Sequence, residues 1–412
     1  MPNFILYIVV VIYRKMIKKM LINMESLLKI NFKSIQTVGI RVDFNTPVDK
    51  SFKISDDTRL LRARDTINFV KDRNCKILLL SHFGRPKGNF DEKFSFQNLI
   101  NQFSNVLDIK LNLLTYENFS KNGLSDFINL NHPITLLENL RFFKGEIDNE
   151  LIFSKSITDQ LDLYINEAFS ASHRSHSSVN RIPKNITSVP GFNFEKEVLA
   201  INEIKNSTKK KLAIIGGSKV STKINTLLSL TKSCKNIFIG GAMANNFLKF
   251  KGIPVGSSLL EEGSEKMIKK IYDSAQEKKC KIHLPLDVVL DSQDTSIIDK
   301  LSQINNFKIL DLSDESLKLL TSLIHGSELV LWNGPLGKIE DTFFANGSIK
   351  LAKLLSEVKV DVIAGGGDTL LAINLAGVSF DKYHFVSTAG GAFLEALEEN
   401  DLPGIKALNQ DL

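Results

Sequence analysis

"VIAGGGDTLLAINLAG", residues 362–377, is the stretch on which the fold is decided. An apolar run ends in Gly365-Gly366-Gly367, after which Asp368 and Thr369 open an amphipathic segment. Three glycines between a strand and a helix suit a backbone that approaches something closely. The N–H groups at such a helix start favour an anion, usually phosphate. A tight strand-to-helix turn is the plainer alternative. The dinucleotide fingerprint does not fit, because Leu370 stands where the third glycine of G-x-G-x-x-G belongs.

Other apolar runs end in the same manner, and their endings fall into two kinds. Up to residue 181 they read "IRVDFN", "ILLLSHFGR", "ITLLENLR" and "LYINEAFSASHR", each leaving Asp, Asn, His or Arg. Further on they read "LAIIGGSK", "IFIGGAMAN", "LVLWNGP" and "VIAGGGDT", each leaving glycine with lysine or a small polar group. Apolar runs alternating with helical patterns predict parallel α/β architecture. Open sheets of that kind bind ligands outside the carboxyl ends of their strands. The expectation is two Rossmann-like lobes with parallel sheets, joined by a helix and hinge around a central cleft, with the site divided between them.

Charge type follows the same division. All ten arginines lie at or before Arg181, while most of the 24 glycines lie after it. Arginine suits a planar, bidentate grip on an anion, so the first half reads as a side-chain grip and the second as a backbone cradle. "IPKNITSVPGFN", residues 182–193, is rich in chain breakers and marks the boundary. After it, Phe194, Val198, Ile201 and Ile204 share one helical face. The predicted parts are an extension over 1–23, a first domain over 24–190 and a connecting helix over 191–208. A second domain over 209–388 and a segment over 389–412 returning to the first complete the chain.

The net charge of +6 is mild, and the three cysteines, Cys75, Cys234 and Cys280, have no metal-type spacing. A sparse, odd set suits a reducing cytosol. The opening "FILYIVVVIY" is ten residues long, roughly 15 Å as a helix against about 30 Å of bilayer hydrocarbon. Its positive charges follow the apolar run, the wrong order for a secretory signal. The reading is an upstream start, with initiation at Met16, Met20 or Met24; a weak membrane-surface anchor is the alternative.

In "AIIGGSKVSTKI" Lys219 and Lys223 are four apart, on one face if a helix begins there. The dipole of a helix start disfavours lysine, so a bound polyphosphate gives the pair a purpose. Asp368 beside such a group suits Mg²⁺, which takes few carboxylates and relies on substrate oxygens; helix capping is its plainer role. Asp43 and Asn45 could likewise form an Asx turn before Pro47.

The motifs "RVDFNTP" (41–47), "SHFGRPKG" (81–88), "LLENLRF" (136–142), "NEAFSASHRSHSS" (166–178), "GGSKVSTKI" (216–224), "LWNGPLGKIE" (331–340), "GGGDT" (365–369) and "VSTAGGAFLE" (386–395) occur in one order. As an ordered set they resemble the phosphoglycerate kinase family, from about residue 37 to the C-terminal "LPGIKAL". The resemblance implies reversible phosphoryl transfer between 1,3-bisphosphoglycerate and Mg-ADP, giving 3-phosphoglycerate and Mg-ATP. It further implies a cytoplasmic monomer with no nucleic-acid partner and no stable membrane insertion. Asp43 and Asn45 would hold the substrate's hydroxyl region and Arg59 its reacting carboxyl end, with His82, Arg85, Arg141 and Arg174 around the 3-phosphate. Lys219 would steady the migrating phosphoryl group and Lys223 the nucleotide phosphates. Asn333 and Glu340 would contact the nucleotide, Gly217, Gly241 and the backbone of Gly365, Gly366, Gly367 and Thr369 would border it, and Asp368 would take the metal.

Against the family pattern, Arg64 and Asp65 stand where Leu-Pro is usual, which predicts a different helix start. Lys338, Ala389 and Phe393 are further departures, near the adenine contact and the hinge. Arg62, Arg64, Arg73 and Arg181 match no binding position and read as solvated or ion-paired. A catalytically impaired binding protein of the same fold, and a nicotinamide dehydrogenase, are the competing readings.

Overall fold

The computed structural model describes residues 26–129, 132–304, 306–398 and 402–409. The start positions Met16, Met20 and Met24 lie outside the described residues. The chain divides into two compact units, one ending at Leu199 and resuming at Asp401, the other Ala200–Asn400.

The first unit is built on strands β1 (Thr37–Arg41), β2 (Lys76–Leu80), β3 (Asn112–Leu114), β4 (Ile134–Leu137), β5 (Leu163–Asn166) and β6 (Ser188–Pro190). They pair in parallel in the order β3-β4-β2-β1-β5-β6. Successive side chains of a strand face opposite ways, and both faces here are apolar. Ile77 and Leu79 join Leu60, Ala63, Ile67 and Val70 of the helix Thr58–Lys71 on one face. Leu78 and Leu80 join Phe119, Phe127 and Ile157 on the other. Double burial explains the near-continuous hydrophobic runs. The helix Thr58–Lys71 passes through Arg64 and Asp65 without a break. Arg64 is half-buried, its guanidinium donating to Val106 O at 3.2 Å, and Arg181 donates to Asn149 O at 2.6 Å; neither forms an ion pair among the described residues. Arg73 lies over the Phe69 ring, 3.3 Å from its centroid.

The second unit repeats the plan with β7 (Lys211–Ile215), β8 (Asn236–Ile239), β9 (Lys281–His283), β13 (Leu329–Asn333), β14 (Asp361–Gly365) and β15 (Phe385–Ser387). Their parallel order is β15-β14-β13-β7-β8-β9. Trp332, Ile214, Val330 and Val362 form a core with Leu351 and Leu355 of the helix Asn346–Glu357. Strands β10 (Asp287–Leu290), β11 (Thr295–Ile297) and β12 (Ile309–Leu312) form a separate antiparallel sheet, which the parallel reading did not anticipate.

The helix Phe192–Asn206 carries the chain across the division, with Phe194, Val198, Ile201 and Ile204 all buried. The expected return of the chain at 389 is displaced. The helix Gly391–Glu398 stays with the second unit, where Ser229 Oγ donates to Leu397 O at 2.7 Å and Thr226 Oγ1 donates to the Glu398 carboxylate. Phe393 and Ala389 are buried there. The helix Pro403–Leu408 is what rejoins the first unit, with Gly404 N donating to Ser172 O at 2.9 Å. The helix after β7 begins at Ile224, so Lys219 and Lys223 lie in the preceding turn and share no helical face. The three cysteines are buried, and burial pushes Cys234 and Cys280 up to about 11 and 12. Among the described residues no helix is long and apolar enough to cross a membrane.

Candidate active-site surfaces

In the first unit the polar groups gather where β1, β2, β4 and β5 end. Asp43 follows β1, and its side chain accepts from Asn45 N at 3.0 Å, an Asx turn. Its second oxygen lies 3.2 Å from Arg59 Nη1, and Ser170 Oγ donates to it. Arg59 also donates to Asn45 O at 2.8 Å, while Asn45 Oδ1 accepts from Gly84 N at 2.9 Å. Arg141 donates to Gly84 O at 2.7 Å. Asp43, Asn45, Arg59, Gly84 and Arg141 thus form one connected lattice. Arg85 and Arg174 make no side-chain hydrogen bond or ion pair among the described residues, which leaves their forks available to a ligand.

The electrostatics of this surface are those of crowded cations. Burial brings Arg141 down to about 10, helped by Arg41 and Arg174, so its guanidinium is still charged at neutral pH. Burial also depresses His82 well below its usual range, reinforced by Arg41, Arg141, Arg59 and His176. His176 falls to about 4 for the same reasons, burial first and the arginines next. Concentrated positive charge with neutral histidines suits a small, multiply charged anion.

Sequence reasoning left Arg41 without a role. It is 1% exposed at the end of β1, donating to Ser178 Oγ and Val42 O and lying 3.0 Å from His82 Nδ1. The signal was present: an arginine closing the buried run Val38-Gly39-Ile40 is a costly choice unless something inside requires its charge.

In the second unit the glycine turns after β7, β8, β13 and β14 converge. Gly216 N donates to Asn333 O at 2.9 Å, Gly241 N to Leu336 O at 3.0 Å and Met243 N to Gly217 O at 2.8 Å. Gly366 has φ +105°, and a side chain there would sit 2.7 Å from the Asn333 amide, so the turn requires glycine. A methyl group on Gly367 would meet nothing within 4 Å. That open space lies over the first turn of the helix Gly367–Leu375, where backbone N–H groups lack partners. Asp368 is exposed in this turn and makes no capping bond.

A cavity of about 590 Å³ lies alongside, bordered by Gly217, Gly241, Leu312, Lys338, Glu340 and Asp368. Its size suits a nucleotide. Lys223 Nζ donates to Asn333 Oδ1 at 2.6 Å, and burial lowers it to about 8, with Asp368 opposing. Lys219 is exposed on the turn after β7. Asn333 and Thr369 are buried beneath these groups: Asn333 also donates to Gly365 O, and Thr369 Oγ1 accepts from Gly334 N at 2.7 Å. They hold the glycine turns in place from below.

A family model described as phosphoglycerate kinase matches residues 29–400. The chain belongs to that family. A phosphoglycerate kinase of Wolbachia sp. subsp. Drosophila simulans is 38% identical over 393 residues, covering 92% of this chain and 96% of the relative. One of Prochlorococcus marinus (strain MIT 9515) is 38% identical over 386 residues, covering 91% and 96%. The solved phosphoglycerate kinase of Coxiella burnetii superposes with a TM-score of 0.83 at 32% identity, covering 93% of this chain and 98% of that one. That of Pyrococcus horikoshii gives 0.79 at 25% identity over the same shares. The parallel-sheet α/β units described above are the fold of this phosphoglycerate kinase family.

Proposed function

We propose that the chain catalyses reversible phosphoryl transfer between the acyl phosphate of 1,3-bisphosphoglycerate and Mg-ADP, yielding 3-phosphoglycerate and Mg-ATP. The observation that carries the proposal is the contrast between two strand-end surfaces. One unit offers crowded arginines, the other open helix N–H groups and lysines beside a nucleotide-sized cavity.

In the ATP-consuming direction the nucleophile is a carboxylate, ionised near neutral pH because its pKa is about 4. No general base is needed, which agrees with the neutral histidines of the anion surface. Catalysis is positioning and charge stabilisation. Arg141, Arg174, Arg85 and His82 hold the non-reacting phosphate, and Asp43 and Asn45 hold the substrate's hydroxyl region while fixing Arg59, which steadies the reacting carboxylate. Lys223 holds the nucleotide phosphates, Glu340 the ribose, and Lys219 neutralises the group in flight.

The Asp368 carboxylate fits Mg²⁺: it is a hard oxygen donor, exposed, without a hydrogen-bond partner among the described residues, and borders the cavity. Mg²⁺ bound there would offset the charge of the nucleotide phosphates. Because the grips belong to different units, transfer requires closure at a hinge around a central cleft, with water excluded. The protein acts as a cytoplasmic monomer.

A coupled assay with 3-phosphoglycerate and Mg-ATP tests the proposal. Saturable turnover in both substrates is expected. Binding of both without turnover would instead identify an impaired binding protein of the same fold, and NADH binding without ADP binding a dehydrogenase.

A further inference from the structure

His82 has a hydrogen-bonding state that the geometry fixes. Arg41 Nη2 lies 3.0 Å from His82 Nδ1. A guanidinium has five donors and no acceptor, so Nδ1 must accept, and a neutral ring then carries its proton on Nε2. Nε2 has no hydrogen-bond partner among the described residues. The one donor the imidazole can offer is therefore the one left for a ligand.

Arg41 is itself fixed. Its Nε donates to Ser178 Oγ at 2.9 Å, and that hydroxyl donates onward to Glu146 Oε1 at 2.5 Å. Ser178 N donates to Glu146 Oε2 at 2.8 Å, and Tyr164 Oη donates to Ser178 O at 2.6 Å. Arg41, Ser178, Glu146 and Tyr164 are all buried. A charge taken out of water needs a counter-charge and satisfied donors; Glu146 supplies the first through the serine, and Val42 O, Ser178 and His82 supply the second. The ring also faces Arg59 from the helix Thr58–Lys71, Arg141 from the turn after β4 and His176 from the loop after β5. The carboxylates of the cluster, Glu146 behind Arg41 and Asp43 on Arg59, are engaged with those arginines. After burial the strongest influences on the ring, Arg41, Arg141 and Arg59, are cationic and oppose its protonation.

We propose that Arg41 is a positioning residue that locks His82 as a neutral Nε2–H donor, and that Glu146, acting through Ser178, holds Arg41 in place. The use of that donor, on the substrate's phosphate, rests on the function proposed above. The tautomer itself does not.

Long-range ¹H–¹⁵N correlation spectra of the histidine rings in the full-length protein test the lock directly. Wild-type His82 should show an unprotonated Nδ1 and a protonated Nε2, unchanged between about pH 5 and 8, the range in which an ordinary histidine titrates. Arg41→Met should mix the tautomers or restore titration, and make KM for 3-phosphoglycerate vary severalfold across that range while kcat varies less. Arg41→Lys, which still donates, should restore the wild-type pattern in part. A protonated Nδ1 in the wild type, or an Arg41→Met spectrum identical to it, would overturn the lock. If Arg41→Met fails to fold, the wild-type spectrum decides the tautomer, and Ser178→Ala tests the support from Glu146. In that variant a mobile or mixed His82 signal supports the relay and an unchanged one refutes it. The expected spectrum from a protein without turnover would leave the lock standing and defeat only the substrate.

Discussion

The ammonium of Lys223 donates to Asn333 Oδ1 at 2.6 Å, and the amide of the same Asn333 donates to Gly365 O. One buried asparagine therefore ties the lysine turn after β7 to the glycine turn after β14. The bond also holds the lysine where burial brings it down to about 8. Nucleotide phosphates placed beside this ammonium will raise it again, so binding near pH 8 should take up protons. Calorimetry of Mg-ADP binding in buffers of different ionisation enthalpy should show that uptake, with affinity falling as pH rises past about 8. Lys223→Ala should weaken Mg-ADP and Mg-ATP alike and abolish the buffer dependence. Buffer-independent heats in the wild type would place Lys223 away from the phosphates.

The arginines should separate kinetically. Under the proposed assignment Arg141→Lys and Arg174→Lys lose bidentate contact with a phosphate that does not react, so KM for 3-phosphoglycerate should rise most. Arg59→Lys alters the group at the reacting end, so kcat should fall more. Equal effects on both parameters at all three positions would refute this assignment.

Stability should fall as pH rises from about 4.5 to about 8 for a reason located at Glu167. This buried carboxyl accepts from Asn193 N at 3.0 Å and Phe194 N at 3.5 Å, at the start of the helix Phe192–Asn206. Burial raises it from 4.5 to about 8, against those bonds and Thr66. The folded state thus keeps a proton that the unfolded state releases. Its contribution is complete below the unfolded value and is lost as pH climbs through about 8. Thermal unfolding midpoints should decline over that window, and Glu167→Gln should flatten the decline. An unchanged slope in the variant would assign the effect to another buried acid raised by burial, such as Asp311, brought up to about 7.

Closure should be visible in solution. Reacting atoms must come within about 3 Å of one another, and the proposed grips on the two ligands belong to different units. Small-angle scattering should give a smaller radius of gyration with both ligands than with either alone. An unchanged radius in the ternary mixture would contradict hinge closure.

Much of this was legible in the sequence. The strand ends could be read because parallel sheets make apolar runs that stop abruptly at polar residues, as at Arg41-Val42-Asp43 and Gly365-Gly366-Gly367. What escaped depends on long-range placement. Arg41 pairs with Ser178, 137 residues away, a contact no local pattern predicts. The resemblance gave Asn333 a nucleotide contact; that its side chain also links Lys223 to the turn at Gly365 is a long-range placement no local pattern shows. The antiparallel β10–β12 sheet was hidden because its strands are three or four residues long, too short to show a period. The different helix start expected from Arg64-Asp65 falls before them: both lie inside the helix Thr58–Lys71, whose Leu60, Ala63, Ile67 and Val70 bury one continuous face.

The central claim concerns Lys219, exposed on the turn after β7. The transferred group passes through a transition state with charge spread over three oxygens, and an ammonium meeting it in a closed, water-excluded site acts with little screening. Removing one donor from a comparable oxyanion site costs roughly 10²–10³ in kcat, and a full positive charge should matter at least as much. Steady-state turnover of Lys219→Ala at saturating 3-phosphoglycerate and Mg-ATP should therefore fall by about that factor or more, with nucleotide affinity largely retained. A variant keeping more than about a tenth of the wild-type kcat, under 1.4 kcal/mol of barrier, would contradict the account.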